Sequence, residues 1–455
     1  MSLSDSAPPR GLKWRASTYF IVFTVGMGAF TDLFLYGLIV PVLPYMLKDR
    51  VNLPDSEIQS TVSNLLAIYA AASVATSPIA GILADKCSNS RKLPFVLGLV
   101  MLVLATVLLA VGQTVPVLAL ARFLQGASAG VVWTIGLAII IETVGQENLG
   151  TTMGTIFSFV SVAALFSPIL GGLLYASVGY KGVFGLGIGL VGIDFILRLL
   201  MIEKKAAARY EKLDASQSDI EDTTEGTEQT PLLPRTSTAH DRYRLPKPQN
   251  RVTRTLPILL IFRDPGLLTA IWISFMQASL LGAFDATVPL VSSQQFGFNS
   301  LKAGLLFIPL GGADFLFGPV FGWCVDRYDD AITDKLNNAR HVALYAGLLA
   351  VNGIGLAVIN SPAIVEAGNI VEKYYQANKD VFEQAPYAQL YGISSMVFSG
   401  GLTVGPLLAG YLRERIGYGN MNAVFAGICA ATAIPAAVFM GRKEENLGEE
   451  DGVDE

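Results

Sequence analysis

The sequence predicts an all-α membrane protein of eleven or twelve spanning helices, arranged as two six-helix repeats around a long polar linker. Three observations predict it. Only 15% of the 455 residues are charged and 52% are hydrophobic, where a soluble domain averages about 25% charged. The apolar residues fall in separate blocks of about 20 to 27, the length that crosses a ~30 Å hydrocarbon core at 1.5 Å per residue. The halves also repeat each other: Pro78, Gly81, Asp85 and Lys86 return as Pro319, Gly322, Asp326 and Arg327, and Ser167, Pro168 and Gly171 return as Gly405, Pro406 and Ala409. The separation from Asp85 to Pro168 is 83 residues and from Asp326 to Pro406 it is 80. Tandem repeats flanking a cytoplasmic linker are the plan of a transporter whose site lies at the repeat interface near mid-membrane.

In chain order, a polar tail (1–17) precedes a first run, 18–47, whose one charge before its closing turn is Asp32. That run is too long for a signal-peptide core and is expected to remain as a signal anchor. Further spans read as 61–84, 93–112, 115–141, 151–177 and 183–202, completing a first bundle over 18–202. Residues 203–264 are rich in Glu, Asp, Ser, Thr and Pro and read as a disordered linker. Lys204, Lys205 and Arg209 before it, and Arg242, Arg244, Lys247, Arg251 and Arg254 after it, place the linker in the cytoplasm by the positive-inside rule. Arg10, Lys13 and Arg15 place the N-terminus there too. The second bundle, 265–440, reads as 266–291, 301–325, a run from 341, 388–412 and 421–440, followed by an acidic tail, 441–455.

The second bundle is short. Residues 93–141 supply 49 positions for two spans, whereas 341–371 supply 31 and include Asn352, Asn360, Glu366 and Asn369. Two crossings need about 40 residues. Either one span is absent or two short helices share the stretch. An odd number of spans would put the C-terminus outside and Arg413 and Arg415 in the cytoplasm.

The small net charge of −5 points to no nucleic-acid partner, and Cys87, Cys324, Cys429 and the two histidines show no metal or disulfide spacing. There is no Walker loop, which excludes an ATP-driven pump, and no catalytic triad context, so no enzyme, cofactor or metal is expected. Gly187, Gly189 and Gly192 match a dinucleotide fingerprint formally, with Asp194 nearby. They lie inside an apolar helix, where glycines serve packing.

What remains is a set of membrane charges and small-residue motifs. A carboxylate in a spanning helix is expensive and marks a substrate or proton path. Removing a carboxylate from water favours its neutral form, so an acid in this setting can exchange a proton. Asp32 leads this set, with Asp285 and Asp314 as second candidates. Arg122 stands about seven residues into its span with Gln125 and Gly126 after it; it either pairs with a buried carboxylate or carbonyl, or snorkels to the headgroups. Asp194, near a helix end, reads as structural. Phe34, Tyr36, Tyr69 and Trp133 either line a cavity for a bulky amphipathic molecule or pack as core.

Gly81, Asp85, Lys86, Arg91 and Lys92 resemble the loop signature of the major facilitator superfamily between spans two and three, echoed by Asp326 and Arg327. The loop here is about two residues longer than the family's and lacks its glycine. Arg122 with Gln125 and Gly126 resembles the span-four motif thought to assist proton transfer. Gly154, Pro168, Gly171 and Gly172 resemble the span-five antiporter motif, with Pro406 and Gly410 as its second-half echo. Together these resemble the twelve-span drug:proton antiporters and their vesicular monoamine transporter-like branch. The resemblance implies the major facilitator fold and export of a drug, toxin or secondary metabolite in exchange for protons by alternating access. It implies a monomer in the lipid bilayer, of the kind fungi use to remove toxins or their own products.

The vesicular family's span-one Asp is matched by Asp32 and its span-seven Glu by Asp285. Its span-two Lys falls at Tyr69, its span-ten Asp at Asn360 and its span-eleven Asp at Ser395. Asn and Ser carry no proton, so Asp32 is the stronger expectation for proton handling and the weaker one for an amine. A proton-coupled importer or facilitator of sugars or organic acids with the same fold stays open, as does a transport-inactive paralogue. Glu228, Leu232 and Leu233 form an acidic dileucine pattern, which leans toward a vacuolar or vesicular membrane; the drug-exporter resemblance leans toward the plasma membrane.

Overall fold

A computed structural model of the chain describes residues 11–86, 92–144, 149–204, 206–207, 243–246, 257–310, 339–379, 381–382 and 386–439. A single turn, α1 (Leu12–Arg15), leads into α2 (Thr18–Ile39), whose N-cap Ser17 accepts a hydrogen bond from the Phe20 amide at 3.3 Å. The first apolar run is not one helix to residue 47. It breaks after Ile39 and resumes as α3 (Leu43–Asp49), because Pro41 and Pro44 have no N–H to continue the ladder. The remaining helices of the first half are α4 (Asp55–Lys86), α5 (Lys92–Val111), α6 (Val115–Val144), α7 (Leu149–Val178) and α8 (Tyr180–Leu200). Asp55 and Glu57 in the first turn of α4 complement its dipole.

The second half begins with a 3-10 turn, Pro257–Arg263. Asp264 then caps α9 (Pro265–Phe296), accepting from the Gly266 and Leu267 amides at 2.8 and 3.2 Å, and Gly297 ends the helix in the left-handed region at φ 62°. After it come α10 (Ser300–Leu305), α11 (Ala339–Ala377), α12 (Tyr387–Ile416) and α13 (Tyr418–Phe439). Among the described residues nine helices are long and apolar enough to cross a membrane, with Ser300–Leu310 and Val342–Asn352 as shorter apolar stretches.

Contacts at the helix ends orient the bundle. Arg15 donates to the Leu200 carbonyl at 2.6 Å, and Lys204 donates to the Thr143 carbonyl at 2.9 Å. The start of the first half, the end of α6 and the end of α8 therefore share the end where the linker attaches. In the second half Tyr374 donates to Asp264 at 3.2 Å, the Ile258 amide donates to Gln389 at 3.3 Å, and the Phe439 carbonyl packs on Gly266. These also mark the linker end. The Tyr345 and Tyr418 hydroxyls meet at 3.1 Å, with the Phe296 ring 5.5 Å from that of Tyr345, at the far end.

Two sequence expectations are resolved by this geometry. Residues 341–371 are not two short helices: α11 is one continuous helix of 39 residues running from the far end to the linker end. The side of Arg413 and Arg415 also differs from the one an odd count would give. α12 starts at the linker end and carries Arg413 to the far end, and α13 returns, so its last residue lies beside the start of α9. Arg413 and Arg415 are thus on the side away from the linker. The paired basic residues misled because a partly buried contact, described below, holds Arg413 there.

The halves meet where α12 packs along α4 and where α10 packs on α7, while α12 also packs along α9 within the second half. Small residues permit these approaches. Gly171 lies against the Leu38 carbonyl, Gly172 against Ser300, and Gly405 against the Ser279 carbonyl, where a Cβ would strike backbone.

Candidate functional site

α2 places Asp32 and Tyr36 one turn apart on one face, and Asp32 is the helix's only charged residue. α4 contributes Tyr69, α6 contributes Arg122 and Trp133, and α9 contributes Asp285, again the only charge in its helix. These six, dispersed over more than 250 positions of sequence, form one connected cluster. Asp32 and Arg122 are 0% exposed, Tyr69 4%, and Tyr36 and Asp285 5%.

Asp32 receives two hydrogen bonds on the same oxygen, Oδ2. One is from the Tyr69 hydroxyl and one from the Trp133 indole N–H, each at 3.2 Å. Its Oδ1 has no partner among the described residues. Asp285 accepts from the Tyr36 hydroxyl at 2.9 Å, a bond that crosses from one half of the protein to the other. The two tyrosine rings pack at 4.9 Å. The Arg122 guanidinium lies 4.9 Å from the Tyr69 ring centroid and 5.3 Å from that of Tyr36, a cation–π arrangement with both. Arg122 also donates to Gln125 at 2.7 Å and to the Leu65 carbonyl at 3.3 Å, while its Nη2 stays unpartnered. Gly126, one turn on, lets α6 rest directly on the Tyr69 carbonyl, which fixes the depth of Arg122.

Arg122 is therefore not a snorkelling helix-end cation. Tyr36, Tyr69 and Trp133 present polar atoms to the acids as well as rings to the cluster, which neither core packing nor a lipid-facing position would require. Phe34 differs: it stacks on Phe30 at 5.3 Å and belongs to the apolar core. Asp285 is reached from Tyr36, one turn beyond Asp32 on α2. The cluster holds two buried carboxylates and one buried guanidinium, so it lacks one positive charge when all three groups are ionised.

The antiporter-motif residues do not join this cluster. Gly171 and Gly172 seat α7 on α2 and α10, Pro168 lies against Gly304, and Gly154 is exposed with open space where a Cβ would be. In the second half, Pro406 packs on Gly282 and Gly410 on Ser63 of α4. Gly81, Asp85 and Lys86 end α4, and only their helical backbone is described. Arg91, Asp314, Asp326, Arg327 and the dileucine pattern lie outside the described residues, and so does the Asn360 side chain.

Sequence reasoning missed three groups. Arg413 donates to Gln59 and, at 2.6 Å, to Gln294, while Gln59 donates to Ser63 and to the Ala286 carbonyl at 3.1 and 3.2 Å. This joins α4, α9 and α12 at the far end. Ser73 and Ser399 meet between the halves at 3.3 Å. The signal for both was the row of small polar residues on α4, Gln59, Ser63, Ser73 and Ser77, all buried. The third is Arg198, 0% exposed, which pairs with Asp194 at 2.7 Å, donates to the Phe95 carbonyl at 3.3 Å and covers the Phe95 ring at 3.9 Å. Asp194, which the sequence marked as structural, has its partner one turn away.

Residues 25–371 match the family model of the Major Facilitator Superfamily. An MFS-type transporter, ppzB, of Metarhizium rileyi (strain RCEF 4871) is 41% identical over 96% of this chain and 98% of its own length. The vesicular acetylcholine transporter of Drosophila melanogaster is 24% identical over 89% of this chain and 69% of its own. Among solved structures, a D-xylose–proton symporter superposes with a TM-score of 0.59 at 14% identity, covering 93% of this chain and 97% of that one.

Proposed function

This chain belongs to the Major Facilitator Superfamily and is a multi-pass membrane transporter, and from that premise we propose that it exports small organic molecules in exchange for protons. One observation carries the reading: two buried carboxylates, one from each half, are linked through the Tyr36 and Tyr69 side chains to one buried guanidinium. An unbalanced charge is costly inside a membrane protein. A single proton, or a single positively polarised substrate group, balances this cluster; both together overfill it. Mutual exclusion at one site is the thermodynamic core of exchange. Asp32 is the leading acid, since its free Oδ1 is a ready acceptor, and Asp285 is the second. The rings of Tyr36, Tyr69 and Trp133 favour a flat or bulky amphipathic substrate. The likeness of Gly154, Pro168, Gly171 and Gly172 to the antiporter motif supports the outward direction.

The test is proton movement itself. Liposomes carrying the purified protein and an entrapped pH dye are challenged with a panel of amphipathic ring compounds. A substrate should drive proton flux in the parent and none in Asp32→Asn, with both proteins equally monodisperse in detergent. A compound carried at the same rate with and without a proton gradient would count against exchange. An unchanged Asp32→Asn would remove that residue from the role.

A further inference from the structure

Asp32 and Asp285 are held in different ways. Both donors to Asp32, Tyr69 and Trp133, come from its own half, on α4 and α6. The donor to Asp285 is Tyr36, on α2 of the opposite half, 249 positions away. Motion of one half against the other therefore carries Asp32 and its donors together, whereas it separates Asp285 from Tyr36. We infer that Tyr36 is the positioning residue that ties the charge of Asp285 to closure between the halves, so that Asp285, not Asp32, senses conformation. The inference rests on the proton-exchange reading above and assigns its two acids separate tasks.

The geometry supports a latch. Tyr36 and Asp285 are both 5% exposed, so inside the closed interface water does not easily replace either partner. A hydrogen bond to an ionised carboxylate is about twice as strong as a neutral one. Closure is then favoured while Asp285 is charged and weakened when it takes up a proton. The bond lies between two other inter-half contacts, Gln59 with Arg413 toward the far end and Ser73 with Ser399, and neither of these contains a carboxylate. Among the described residues, the charged or titratable groups facing Asp285 are Tyr36 from α2, Tyr69 from α4 behind it, and Arg122 from α6. Asp285 is the only such group on its own helix. From α11, α12 and α13, Tyr345, Arg413 and Tyr418 approach the far end of α9 instead.

Spin labels at Ser56→Cys on α4 and Asn420→Cys on α13, both exposed far-end positions, report closure by pulsed electron–electron double resonance. The native cysteines are first replaced, and the full chain is placed in lipid nanodiscs. In the parent, the closed-to-open ratio should fall about five-fold from pH 8 to pH 5.5, as a charge-assisted bond gives way to a neutral one. Tyr36→Phe keeps the ring beside Tyr69 and Arg122 and removes only the hydroxyl. It should abolish the pH response, and so should Asp285→Asn. Ser399→Ala, which removes a contact between the halves without touching a carboxylate, should lower the closed fraction at both pH values and keep the response. A parent with no pH response overturns the inference, as does a Tyr36→Phe variant that responds like the parent, or loss of the response in Ser399→Ala. Proton flux without a Tyr36-dependent response would remove this inference alone. The response without substrate-driven flux would remove the export reading alone.

Discussion

Tyr69 donates its hydroxyl to Asp32 at 3.2 Å, at the position where the resemblance to the vesicular branch leads one to expect a lysine. A phenol supplies one hydrogen bond and a ring face, but no charge. The positive charge of the cluster comes instead from Arg122, stacked on that ring. Charge and hydrogen bond, which one lysine would combine, are divided here between two side chains on α4 and α6.

The division predicts different outcomes for substitutions of Asp32. Asp32→Asn keeps an acceptor for Tyr69 and Trp133 and should fold with little change in Tm. Asp32→Leu leaves the buried Tyr69 hydroxyl and the partly buried Trp133 indole N–H unsatisfied and should cost about 1–3 kcal/mol for the first and less for the second. Thermal unfolding in detergent would separate the two, and equal Tm values for both variants would contradict the hydrogen-bond arrangement.

Arg122→Lys is not a mild change. Lysine cannot span the Gln125 oxygen, the Leu65 carbonyl and two ring faces at once. Proton-driven flux should fall at least ten-fold with the protein still monodisperse in size-exclusion chromatography. Flux near the parent level would show that only the charge matters.

Arg413 bridges α12 to α4 and α9. Arg413→Ala should loosen the far end, raising the labelling rate of Ser63→Cys by a membrane-impermeant maleimide about two- to ten-fold. Gln59→Ala should match it, and the double variant should add little, because both remove the same contact.

Arg198 and Asp194 form a buried ion pair at 2.7 Å. Removing one partner strands a buried charge, at about 3–5 kcal/mol, whereas an apolar pair of similar volume can be neutral. Arg198→Met should therefore destabilise more than Arg198→Met with Asp194→Leu. Denaturant or thermal unfolding would report the order, and a reversed order would show that the pair contributes more than mutual compensation.

The glycines of the span-five motif should differ among themselves. Gly171→Ala sets a Cβ against the Leu38 carbonyl, which is backbone and cannot yield, while Gly154→Ala meets open space. Folded yield should drop for the first and hold for the second.

Much of this protein is fixed by local sequence. Apolar blocks of spanning length predict helices wherever they occur, because lipid leaves the backbone no partner but itself. Most predicted span boundaries fall within a few residues of the observed ends. Pro41 and Pro44, visible in the sequence, explain the one break inside the first run. Asp32, Asp285 and Arg122 stood out for the same local reason, as charges in helices that otherwise have almost none.

Pairing was not legible. No spacing along the chain indicates that Tyr36, beside Asp32, gives its hydrogen bond to Asp285 in the other half, or that Asp32 takes Tyr69 and Trp133 instead. Nor did it show that 341–371 forms one helix, or that Arg413 turns away from the linker side to meet Gln59. These depend on which helix faces contact one another, a property of packing between segments that the sequence of any single segment does not contain. Asp32 is marked by its own helix; what Asp32 and Asp285 each do is decided by which half supplies their donors.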